Sequence, residues 1–146
     1  MNKDIPLTRF LDIKRNAENN LSLPFAPTVL NHVDTAHAGA QFCLAELASG
    51  AFLEALFPEY KGRVYAVVRR VEIKYKAPGK TDLAAHAEVG DGDKLRFSEE
   101  FEKMGRALIS VRVDLKDAEG IATFSAVFQW YVQKPDSLLS PGVIAD

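Results

Sequence analysis

The chain has 146 residues, 47% hydrophobic and 26% charged, with a formal net charge of -2. That is one domain's worth of sequence, 1–146, with material for a real core, which argues against disorder, collagen-like repeats and charged low-complexity sequence, while the scattered basic residues argue against nucleic acid as a partner. The single cysteine, Cys43, has no partner within the chain, so an internal disulfide is excluded and a reducing compartment, the cytoplasm, fits best.

Taken in order, the start MNKDIPLTRF carries Asp4 and lacks an apolar signal core, and no later stretch reaches the roughly 20 apolar residues of a spanning helix, so no membrane association is expected. Pro6, just before Phe10, Leu11 and Ile13, predicts a short helix over residues 7–15. Residues 19–27 hold two prolines among Asn, Ser and scattered apolar residues and predict irregular chain packed on the domain; residues 28–32 predict a short strand. The most informative segment is 37–57, HAGAQFCLAELASGAFLEALF, rich in Ala and Leu and ended by Pro58. As a helix it is apolar on nearly every face, interrupted after its first residue by Gln41, Glu46, Ser49 and Glu54, and such a helix must be wrapped on most sides.

The wrapping follows. Val71, Ile73, Tyr75 and Ala77 alternate with Arg70, Glu72, Lys74 and Lys76, the period of a strand that buries one face; the pattern stalls at Arg69 and Arg70, where a bulge is expected. After a turn at Pro78-Gly79-Lys80, alternation over residues 83–89 predicts a second strand. Asp91-Gly92-Asp93 reads as a polar turn, and Phe97, Phe101 and Met104 at helical spacing predict a short helix starting near Ser98. Residues 109–115 and 122–132 alternate again and form a hairpin, and the proline-containing tail 134–146 is expected to lie irregularly on the surface. The order predicts an α+β domain in which an antiparallel sheet curls about one long helix.

Chemistry concentrates on that helix. A carboxylate in the middle of a buried helix costs several kcal/mol unless it is paired, protonated or used, and Glu46 is such a carboxylate: a general base or nucleophile in a cleft, a helix position facing solvent, or a partner for Arg69 or Arg70. Ser49, one turn later, either lines the same cleft or bonds back to a helix carbonyl. At the helix start, His37-Ala38-Gly39 exposes backbone N–H groups at the positive end of the dipole, able to hold a carbonyl oxygen that becomes anionic. His32, His37 and His86 form no ligand pair of metal-binding spacing, so neither a metal nor another cofactor is expected.

The stretch from Asn31 through His37-Ala38-Gly39 to Glu46, with a strand ending Tyr75-Lys76-Ala77-Pro78, resembles the hotdog-fold thioesterases of the phenylacetate-pathway type and their bacterial relatives. In that family an Asn stands six residues before the His of an HGG motif and an Asp or Glu nine after it, as Asn31 and Glu46 stand about His37. The resemblance implies hydrolysis of an acyl thioester, commonly of coenzyme A, at a site shared by two subunits of a dimer or a dimer of dimers. It further implies that the N–H of Ala38 polarises the thioester carbonyl, Gly39 gives close approach, Asn31 orients the carbonyl or the water, and Glu46 of the other subunit activates water or attacks. His37, Ser49 and Phe42 would contact the substrate. Two positions depart from the pattern: the first Gly of the motif is Ala38, and Val68 stands where some members carry a Ser or Thr that positions water. A non-catalytic protein binding an acyl or aromatic thioester is the alternative on the same fold.

Overall fold

The computed structural model describes residues 4–135. Helix α1 (Pro6–Phe10) opens with Pro in its first turn, and β1 (Lys14–Arg15) and β2 (Leu21–Leu23) form a small hairpin after it. Both departures from the predicted N-terminal region have local causes. Asp12 takes a left-handed φ of 56°, which ends the helix well before residue 15. Asn16 then accepts the N–H groups of Glu18 and Asn20 on its side-chain oxygen and turns the chain back, so part of the segment expected to be irregular is a strand. Residues 28–32 are not a strand either: a 3-10 helix, Pro27–Val29, starts on a proline whose missing N–H costs nothing there, and only an isolated bridge joins Leu30 to Ala36.

Helix α2 (Ala38–Leu56) is the predicted central helix, with His37 as its N-cap, and a second 3-10 helix (Pro58–Tyr60) follows it. Strands β3 (Tyr65–Tyr75), β4 (Leu83–Glu88), β5 (Arg106–Lys116) and β6 (Ala122–Gln133) complete one antiparallel sheet of six strands in the order β1-β2-β4-β5-β6-β3. The expected bulge is present, since register shifts between Val68 and Arg70. The buried faces of β5 (Ala107, Ile109, Val111, Val113, Leu115) and β6 (Phe124, Ala126, Phe128, Trp130, Val132) pack with Leu44, Ala45, Leu47 and Ala48 of α2 into one core. Alanines along that helix let it nest in the concave sheet, and the wide, nearly continuous apolar surface is needed because the sheet curls round it.

Helix α3 (Asp91–Met104) is longer than predicted. Asp91 and Asp93 lie in its first turn, where negative charge is favoured by the helix dipole, so the supposed polar turn is the helix start. Gly105, at φ 72°, ends it by returning its N–H to Phe101.

The two edges of the sheet differ. One is β1, two charged and exposed residues; the other is β3, eleven residues long. The alternation in β3 predicts a buried face, yet Ile73 is 38% and Tyr75 50% exposed, because nothing among the described residues covers the outer part of this edge. No helix among the described residues is long and apolar enough to cross a membrane.

Candidate functional site

The start of α2 is built by polar contacts to three neighbouring segments. The N–H of Ala36 donates to the Gly79 carbonyl (2.8 Å) and that of His37 to the Val29 carbonyl (2.7 Å), which pins the chain just before the helix. A Cβ on Gly79 would stand 3.0 Å from that of Ala36, so the close approach depends on glycine. Gly39 donates its N–H to Nδ1 of His37 (2.8 Å), and a Cβ on Gly39 would come within 3.1 Å of that same nitrogen. His37 is therefore a capping residue on an exposed helix start. The Ala38 N–H, exposed and in the first turn, has no acceptor within the helix. Tyr75, from the far end of β3, donates its hydroxyl to the Ala38 carbonyl at 3.1 Å.

Asn31 spends its side chain on its own loop. Its oxygen accepts the N–H groups of Val33 and Thr35, both at 3.0 Å, and its nitrogen donates to Thr35 Oγ1 at 2.8 Å. Beneath the loop, Gln41 is 4% exposed; it donates to the Ala36 carbonyl (3.2 Å) and accepts the hydroxyl of buried Thr123 (3.0 Å). Sequence reading noted Gln41 only as a break in an apolar helix. That break was the available signal, because a buried amide on such a helix must find partners.

Two turns further on, Glu46 lines a cavity of about 590 Å³ between α2, the turn after it, and strands β3, β5 and β6. Burial raises the carboxyl of Glu46 above the usual carboxylate range. Arg70 pairs instead with Glu72 (3.5 Å), and among the described residues no cation pairs with Glu46, so the ion-pair reading is not what the structure has. Burial, and secondarily the charge of Glu46, push the Cys43 thiol up, which keeps it protonated.

Ser49 is 0% exposed and not part of the cavity wall. Its hydroxyl donates to the Glu46 carbonyl (2.7 Å) and accepts Nε1–H of Trp130 (2.9 Å), so it holds Trp130 against the helix instead of facing a ligand. Trp130 and Val68 do line the cavity, and they face each other in the β3–β6 register. Phe42, one turn before Glu46, packs its ring on Phe128 with centroids 5.7 Å apart and is only partly buried. Gly50 and Trp130 were missed as candidate site residues, since apolar and small residues look alike in sequence whether they fill a core or border a void.

Ala38 and Glu46 are eight residues apart on one straight helix, or ~12 Å at ~1.5 Å per residue.

A sheet of this order wrapped on a central helix is the hotdog fold, and solved structures of that fold superpose on it. A Pseudomonas aeruginosa protein of unknown function, called a "Probable Thioesterase", matches at a TM-score of 0.74 and 24% identity over 89% of this chain and 88% of its own. A Bacillus halodurans protein crystallised with CoA matches at a TM-score of 0.69 and 21% identity over 89% and 77%. A thioesterase of Haemophilus influenzae matches at 0.66 and 14% over 88% and 82%. The family model described as Domain of unknown function (DUF4442) matches residues 7–132, and the chain belongs to that family. No curated protein matches the sequence.

Proposed function

We propose that the protein is an acyl-CoA thioesterase, cleaving an acyl thioester to free acid and thiol at a site made by two copies of the chain. The observation that carries this reading is Glu46: a carboxyl without a cation partner among the described residues, raised in pKa by burial, on the wall of a mainly apolar cavity beside the central helix. A carboxyl whose proton affinity is raised in this way is a stronger base than an ordinary carboxylate. The hotdog fold of proteins named thioesterases, one of them crystallised with CoA, supports the same reaction class.

With ~12 Å of helix between Ala38 and Glu46 of one chain, the reading assigns the helix start of one copy to the cavity of another. Ala38 N–H holds the thioester oxygen, stabilising the charge that develops on it. Glu46 of the second copy takes one proton from water, the water oxygen bonds to the carbonyl carbon, and the tetrahedral adduct expels the thiolate as the C–S bond breaks. The thiolate takes the proton from Glu46, which returns to its starting form. His37 positions the helix start, and Asn31 acts by shaping the loop before it. The long open edge of β3, with Ile73 and Tyr75 exposed, is the surface through which two copies would join, with residues 64–68 beside the cavity. A single unpaired cysteine fits a cytoplasmic home.

The alternative, a binder without turnover, is favoured by one feature, the methyl groups of Val68 at the cavity wall where a hydroxyl could hold water. A panel of acyl-CoA thioesters with free-thiol detection decides: release of thiol supports hydrolysis, and tight binding without release supports the binder. Sedimentation at micromolar concentration should show a dimer or larger; a monomer-sized species alone would overturn the shared site.

A further inference from the structure

We propose that the cavity beside Glu46 seats the acyl group and selects an unbranched saturated chain of roughly ten to fourteen carbons, with Gly50 as the residue that lets the chain pass; this rests on the thioester reading above. The cavity runs along one face of α2, since Glu46, Gly50, Leu53 and Phe57 all line it and recur at helical spacing. From Glu46 to Phe57 is eleven residues, ~16 Å at ~1.5 Å per residue. Carbon–carbon bonds of about 1.5 Å at near-tetrahedral angles advance ~1.25 Å per carbon, so ~13 carbons span that run. At about 30 Å³ for each water-sized group, a chain of that length takes ~400 Å³. The cavity, about 590 Å³, holds it with room for the thioester beside Glu46.

The chain's direction follows from topology. Tyr75 reaches Ala38 while the turn after α2 leads into β3 at Tyr65, so β3 runs opposite to α2; Glu46 lies at one end of the cavity-lining run of the helix and the Val68–Trp130 pair, tied to Ser49, lies beside its middle. At the other end Phe57 meets Phe97 (4.9 Å between centroids) and Tyr60 (6.1 Å), and the Tyr60 hydroxyl is tied to Glu102 at 2.6 Å. Those aromatics line that end of the cavity. The other charged lining residues, Glu54 and exposed Lys61, belong to this half, away from the reacting carbonyl.

Between the ends the width is set by Gly50 and Trp130. Trp130 is held by Ser49 and does not yield. Gly50 is buried in the wall one turn past Glu46, where any side chain would project along the cavity-lining face of α2. Removing that gap should stop a long chain near its fourth or fifth carbon.

The test compares wild type with Gly50→Leu, and with Gly50→Ala as the milder change, on butanoyl-, octanoyl-, dodecanoyl- and hexadecanoyl-CoA by thiol release. Trp130, the only tryptophan, separately reports dodecanoate binding by fluorescence. Wild type should prefer dodecanoyl-CoA, and Gly50→Leu should lower the ratio of dodecanoyl to butanoyl kcat/KM at least ~10-fold, with Gly50→Ala intermediate. Dodecanoate should change Trp130 emission in wild type and much less in Gly50→Leu. If no thioester is cleaved but the dodecanoate response and its loss are seen, the chain-binding inference stands and the hydrolase reading falls. An unchanged chain-length ratio in both variants, or no dodecanoate response in wild type, overturns the inference.

Discussion

The first turn and the middle of helix α2 do different work. Its first turn is exposed, polar in its contacts and tied by main-chain hydrogen bonds to the segments at Val29 and Gly79, whereas its middle is largely buried, borders a void and carries Glu46, which has no cation partner among the described residues. The first turn offers a backbone donor that costs nothing to leave open to water; the middle holds a carboxyl partly withdrawn from water. About 12 Å of helix separates the two, and the proposed site joins the start of one copy's helix to the cavity of another.

The largest effect expected in breaking this division is from Glu46→Gln, which keeps shape but removes the base. Turnover should fall on the order of 100-fold or more while ligand binding persists. Thermal unfolding of the same variant should be unchanged or raised, because the neutral amide has no desolvated charge to accommodate. Intact turnover with lost stability would make Glu46 structural.

Next in size is Gln41→Leu, beneath the first turn. It strands the Thr123 hydroxyl and takes from the Ala36 carbonyl its shorter donor, leaving it only Asn31 Nδ2 at 3.5 Å, and should cost about 1–3 kcal/mol in denaturant unfolding. Adding Thr123→Val should recover part of that loss, since the stranded hydroxyl is removed; strict additivity would show that the two do not act as one network.

A smaller loss, about 1 kcal/mol, is expected for His37→Ala, which deletes the cap on Gly39 at a site where water can substitute. Denaturant midpoints of the two proteins measure it, and equal midpoints would show the cap to be idle.

The subtlest contrast is in pH. The folded carboxyl of Glu46 lies above its unfolded value, so its contribution to stability is fully present at acid pH and declines as pH rises from the usual carboxylate range through the raised value. Stability of wild type relative to Glu46→Gln should therefore fall over that interval and then level off, and the rising limb of the activity profile should sit above the usual carboxylate range. A difference that grows in favour of wild type with pH would reverse the assigned sign.

Sequence alone determined much of this protein. Period-2 alternation specified β5 and β6 because each strand buries one face wholly within its own chain, and the Ala-rich run ended by Pro58 specified α2 because no other element of that length tolerates apolar residues on most faces. Glu46 was legible for the same reason, as a charge that breaks the pattern. Local turn chemistry, by contrast, misled: Asp91-Gly92-Asp93 opens α3 because a helix dipole accepts the acids, and the chain between residues 11 and 23 pairs as a hairpin because Asn16 closes its turn. Only the tertiary structure decided the rest. Asn31 and Ser49 look like ligand-facing groups until their partners in space are known, and Gly50 and Trp130 look like packing until the cavity between them is seen. Which polar groups are already satisfied and where a core leaves a void depend on contacts between residues far apart in sequence, such as Gln41 and Thr123 at 82 positions, and no local pattern encodes those.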